Sequence, residues 1–168
     1  RLRARFAVPA HALTLDLARP EAAAELLAAV EGLGVEPRVE VLVNNAGVFF
    51  FGEVADADPR RANALLQLHV VTPSLACTLF GRRFRERRRG RILVVSSISA
   101  WRDFPGIAYY ASSKKYLRGF ASALRSELAP YGVGVTCVAP GATLTNLYAR
   151  TSIALDKARR IGGPIGLV

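Results

Sequence analysis

Short, uninterrupted apolar runs alternate along this chain with longer stretches in which apolar residues return every three or four positions. The first kind describes strands buried on both faces, and the second describes amphipathic helices. From the left, the alternating run "AHALTLDL" (10–17) is expected as a strand, and the alanine- and leucine-rich "PEAAAELLAAVEGLG" (20–34) as a helix ending in glycine. "VEVLVNNAG" (39–47) reads as a buried strand running into a polar turn. "DPRRANALLQLHVVTPSLACTLFGRRFRER" (58–87) is a long helix, with Pro59 at the first turn where its missing N–H does no harm. "GRILVVSS" (90–97) is a further buried strand, followed by the helix "AYYASSKKYLRGFASALRSELAPYG" (108–132) with Gly132 as its stop, and by the strand "VGVTCVAPG" (133–141). The tail beyond Gly141 has no clear period and is assigned to helix and loop.

Doubly apolar strands alternating with helices specify a parallel sheet covered on both sides, the doubly wound Rossmann-like α/β arrangement, here as a single domain over residues 1–168. Ligands of such sheets gather at the carboxyl ends of the strands. Three of the four strands end in loops able to touch one: "NNAG", "SSIS" and "PGATLT".

About half of the 168 residues are apolar, enough for one domain to bury a real core. No apolar run approaches the roughly 20 residues of a membrane span, and the N-terminus shows no charged-then-apolar export signal. A cytoplasmic location without a membrane partner is therefore expected. Cys77 and Cys137 lie inside apolar runs without CxxC spacing, which suits buried free thiols better than a disulfide or a metal site. The net charge of +10 comes from twenty arginines and three lysines, densest in "RRFRERRRGR" (82–91). Such a run can grip phosphates. No aromatic residue beyond Phe84 and no reading helix accompanies it, so a solvated helix end is the expected role and no nucleic-acid partner is inferred.

Chemistry concentrates in "AYYASSKKYL" (108–117). Tyr110 and Lys114 are four apart on a helix, which places them on one face. Tyr109 has no lysine at that distance. A nearby ammonium stabilises a phenolate and draws the phenol's pKa down from about 10, making tyrosine a usable acid and base. Ser97, at the end of the preceding strand and thirteen residues before Tyr110, offers a second hydrogen-bonding group for a substrate oxygen.

The ordered motifs "LVNNAG", "VVSS", "YYASSK" and "VAPGATLT" resemble those of the short-chain dehydrogenase/reductase family, classical type, over residues 10 to about 147. The resemblance implies an NAD(P)-dependent oxidoreductase that moves hydride between a nicotinamide cofactor and a carbonyl or secondary alcohol, working as a homodimer or homotetramer. It makes Tyr110 the acid/base, Lys114 the residue that lowers its pKa and holds the nicotinamide ribose, and Ser97 the residue bonding the substrate oxygen, with Ser96 and Ser99 as alternatives. On the cofactor side it implies Asp16 beside the adenine, Asn44, Ala46 and Gly47 in the adenosine turn with an asparagine tying neighbouring strands, Pro140 and Gly141 beside the nicotinamide, and Thr145 on its carboxamide. Asp16 is read equally well as a cap for the helix near Pro20. The substrate pocket is expected from "ISAWRDFPGIA", with Trp101, Phe104 and Ile107 as an apolar wall or as core.

Two departures limit the resemblance. The family's asparagine in the middle of the helix after "NNAG" falls at His69, which either replaces it in hydrogen bonding or is a packed histidine, and we favour packing. The glycine-rich TGxxxGxG turn that cradles a pyrophosphate has no match in the sequence. In the family's strand order the run at 10–17 is the third strand and "VEVLVNN" the fourth, so neither neighbours the other without the two strands between them. The expectation is that an upstream βαβ portion of roughly 30 residues or more precedes Arg1. Residues separating NADP from NAD belong to that portion. The cofactor is taken as NADP or NAD, with NADP preferred. The alternative is a catalytically impaired family homologue acting as a binding or scaffold protein.

Overall fold

The computed structural model of the protein describes residues 5–35 and 39–141. Helix α1 (Ala22–Gly32) is followed by β1 (Val41–Asn44), and a helical stretch then runs through α2 (Pro59–Leu66), a π-helical turn (Gln67–Val71) and α3 (Thr72–Glu86). Strand β2 (Gly90–Val95), α4 (Ala108–Leu128) and β3 (Val133–Val138) complete the order. The three strands are parallel in the order β1-β2-β3, with Asn44 opposite Val94 and Val95 opposite Val138. The expected α/β class with a parallel, helix-flanked sheet is the one observed.

Local chemistry explains the element ends. Asp58 caps α2 by accepting from the Arg60 N–H at 2.9 Å, and Pro59 follows at the position that needs no donor. Gly132 stops the α4 segment at φ +72°, where a Cβ would meet the Arg88 carbonyl oxygen at 2.9 Å.

One face of the sheet carries the core. Ile92 and Val94 of β2, Leu42 of β1 and Val133 and Val135 of β3 pack against Phe80 and Phe84 of α3 and Leu117 and Ala121 of α4. Of the two helix layers of a doubly wound sheet, the described residues supply this one. Val41 and Val43 on the opposite face are each about half exposed. The continuous helix Pro59–Glu86 is, by length and composition, apolar enough to cross a membrane, which corrects the reading that no apolar segment is long enough. Ala76, Phe80 and Phe84 of this helix lie in the core against the sheet, while Leu66, Val71 and Leu75 are exposed.

The run 10–17 is not a strand. It forms no ladder, and most of it is exposed. A strand exists only through hydrogen bonds to a neighbour, and among the described residues none lies beside this one. β1 is likewise shorter than its apolar run, because pairing with β2 ends at Asn44.

Candidate active site

Register brings three strand ends to one edge. Beyond the ladder, the Ser96 N–H donates to the Val138 carbonyl (2.8 Å) and the Ile98 N–H to the Pro140 carbonyl (3.1 Å), so the loops after β2 and β3 leave the sheet together. Ser97 begins a short 3₁₀ turn (Ile98–Ala100), its Oγ accepting from the Ser99 N–H at 3.2 Å. Ser96 points the other way, donating to the Lys114 carbonyl at 2.8 Å and pinning the start of α4 to the sheet. That contact occupies Ser96 within the protein and leaves Ser97 and Ser99, 3.3 Å apart, at the edge.

Tyr110 sits in the first turn of α4 and Lys114 in the next, both buried. The Lys114 Nζ lies 5.8 Å from the centre of the Tyr110 ring and donates to the Val95 carbonyl at 3.0 Å. Burial lowers the Lys114 pKa to about 8, opposed by the nearby Cys137. Tyr109 turns away and meets Phe50 edge-on at 5.7 Å.

Phe49 stands edge-on to Tyr110 at 4.9 Å. With Phe51, Phe104 and Ile107 it forms an apolar cluster around the tyrosine. The Gly52 N–H donates to the Gly106 carbonyl at 2.8 Å and joins the two loops that carry these rings. Trp101 does not belong to the cluster; it is exposed and lies under the Arg118 guanidinium at 4.6 Å.

On the cofactor side the placements are mixed. Asn45, Ala46 and Gly47 are exposed, and with Asn44 and Leu17 the first two border a cleft that reaches His69 and Thr72. The Asn44 amide donates to the Cys77 Sγ at 3.2 Å, so this asparagine joins β1 to α3 and not to a neighbouring strand. Burial pushes the Cys77 thiol up to about 11, against the pull of that hydrogen bond. Asp16 is exposed and accepts from the Ala18 N–H at 2.9 Å, a local cap of the turn ahead of α1. Pro140 and Gly141 are exposed at the edge, and Thr145 lies outside the described residues.

His69 is more deeply engaged than a packed histidine. Its Nε2 accepts from the Val48 N–H at 2.9 Å, and its Nδ1 is 2.9 Å from the Ser113 Oγ. Burial, followed by the Lys114 charge, lowers its pKa to about 3. It sits in the π-helical turn, and the signal for that turn is Pro73, four residues on. Proline lacks the N–H that would bond the carbonyl of residue 69, and its ring crowds that carbonyl, so the turn widens.

The basic run is largely engaged within the chain. Arg83 pairs with Glu31 at 2.8 Å, Arg89 with Glu40, and Arg87 and Arg88 donate to the carbonyls of Val39 and Pro130.

A family model described as short chain dehydrogenase matches residues 1–155, and the chain belongs to that family. It is 35% identical over 157 residues to dehydrogenase/reductase SDR family member 7B of Bos taurus, covering 93% of this chain and 46% of the relative. A short-chain dehydrogenase from Streptomyces avermitilis has a TM-score of 0.77 to it at 34% identity, over 87% of this chain and 53% of that one. The Sphingobium yanoikuyae short-chain dehydrogenase in complex with NADPH has a TM-score of 0.85 at 26% identity, over 92% and 59%. This chain spans about half the length of the curated relatives it matches.

Proposed function

We propose that the protein is an NAD(P)-dependent oxidoreductase acting on a carbonyl or secondary alcohol, with Tyr110 as acid/base. The observation that carries the reading is the Lys114 ammonium 5.8 Å from the Tyr110 ring, beneath a strand end that also presents Ser97. A buried cation beside a phenol favours its ionised form, so Tyr110 can give a proton to a developing alkoxide and take one back in the reverse direction. Ser97 holds the substrate oxygen, and Phe49, Phe51 and Phe104 offer its carbon substituents an apolar wall.

The nicotinamide fits the residues present on its ribose side. Lys114 has three donors, of which the Val95 carbonyl takes one, and the others suit ribose hydroxyls. The exposed small residues Ala46 and Gly47 admit a ligand close to the backbone, and Pro140 and Gly141 border the same edge. When bound, the cofactor supplies or accepts the hydride. NADP is preferred over NAD, supported by the NADPH held by the Sphingobium relative. Pairing into a homodimer or homotetramer would use the outer side of α3 and α4, where Leu75 and Tyr116 are exposed.

Titration of the full-length protein, with any segment upstream of Arg1 included, with NADPH and NADH, followed by cofactor fluorescence, tests the reading. Enhanced emission with at least one is expected, and Tyr110→Phe should then lower kcat by about 10²–10⁴-fold with cofactor affinity retained. A chain that binds neither would instead support a catalytically impaired homologue serving as a scaffold, the reading favoured by His69 in the family's asparagine position.

A further inference from the structure

We propose that His69 is a positioning residue: its neutral imidazole, protonated on Nδ1, straps the loop after β1 to the turn of α4 that carries Tyr110. The proposal rests on the oxidoreductase reading and adds a residue to it.

The tautomer follows from the partners. The Val48 N–H can only donate, so the Nε2 it meets at 2.9 Å must hold a lone pair. A neutral ring then carries its proton on Nδ1, which donates to the Ser113 Oγ at 2.9 Å. The Ser113 hydroxyl in turn donates a hydrogen bond to the Tyr110 carbonyl at 2.7 Å. The chain of donors runs in one direction from Val48 to Tyr110, with every member satisfied.

The strap is built into its surroundings. His69 and Ser113 are each only 1% exposed. The ring meets Tyr110 edge-on at 5.8 Å, so it fixes that residue by contact as well as through its carbonyl. A Cβ on Gly47 would lie 3.0 Å from the His69 Nε2, so a glycine there gives the imidazole its seat. The widened helical turn at Gln67–Val71 supplies the ring's position. Each end of the strap belongs to one side of the reaction: Val48 follows the turn proposed for the cofactor, and Tyr110 is the proposed proton donor. Reacting groups displaced by about 1 Å can lose roughly 10²-fold in rate.

A carboxamide cannot span both ends from position 69. Asparagine places its polar atoms where Nδ1 stands and falls short of Val48, whereas glutamine reaches the Nε2 position and leaves Ser113. The family's own residue should therefore fail here.

The test uses the full chain. With only two histidines in the sequence, a long-range ¹H–¹⁵N spectrum of the imidazoles should show one ring held as the Nδ1–H tautomer from pH 8 down to pH 5. His69→Asn and Ser113→Ala should keep the NADPH dissociation constant within about threefold while kcat for the best aldehyde or ketone of a screen falls tenfold or more. A His69 ring protonated on Nε2, or titrating near the ordinary pH 6.5 of histidine, would overturn the strap, as would an active enzyme whose kcat is indifferent to Ser113→Ala. A wild-type chain that neither binds nor oxidises NADPH or NADH would instead sink the oxidoreductase reading, and the positioning role with it.

Discussion

Lys114 shows how the site works against the stability of the fold. Burial lowers its pKa from 10.5 to about 8, so between those values the unfolded chain holds a proton that the native protein has released. Native stability therefore rises with pH across that window and carries the full penalty of the buried cation below about pH 8. Lys114→Met is expected to stabilise the protein at pH 7 by on the order of 1–3 kcal/mol in denaturant unfolding, while turnover collapses. On the proposed mechanism the same pKa would set an alkaline limit on activity. As pH rises through about 8, the charge beside Tyr110 disappears and kcat/KM should fall, a limb read from a pH–rate profile of the wild type. The spacing of Tyr110 and Lys114 was legible in the sequence because a helix stacks residues four apart. Their burial was not, since it depends on Phe49 and β2 closing over them.

At the scale of elements, the π-helical turn and the joined loops deserve separate tests. Pro73→Ala restores a donor to the carbonyl of residue 69 and removes the ring that crowds it. The variant is expected to keep or raise its melting temperature, because alanine suits a helix interior, yet to lose tenfold or more in kcat as His69 leaves its place. Hydrogen exchange should show new protection at residue 73, where proline had no amide. Gly106 lies at φ +83° with space for a Cβ blocked by the Phe51 ring at 2.8 Å. Gly106→Ala should disturb the Phe49–Phe51 loop and raise KM for the carbonyl substrate more than it alters NADPH affinity, measured by steady-state kinetics and cofactor fluorescence. The helices themselves were readable from periodicity and caps. The π turn was not read, although Pro73 announces it in "HVVTP".

For the whole molecule, acid sensitivity follows from one buried ring. His69 stays neutral in the native state down to about pH 3 but takes up a proton near pH 6.5 once unfolded. Stability is thus lost as pH falls from about 6.5 towards 3, at up to about 1.4 kcal/mol per pH unit from this group. His69→Phe, though less stable at pH 7, should lose less between pH 6.5 and 5 in denaturant melts. The proposed pairing of α3 and α4 between subunits is tested by Leu75→Glu, which should shift sedimentation towards the monomer without unfolding the chain. By itself the sequence determined the order of elements from residue 20 onward, the parallel α/β class and the helical face shared by Tyr110 and Lys114, because periodicity, caps and i, i+4 stacking are properties of neighbouring residues. Tertiary structure alone decided that residues 10–17 form no ladder and that His69 joins Val48 to Ser113, partners 21 and 44 residues away. Hydrogen bonds of that range depend on which segments the fold sets side by side, and no local pattern encodes the meeting.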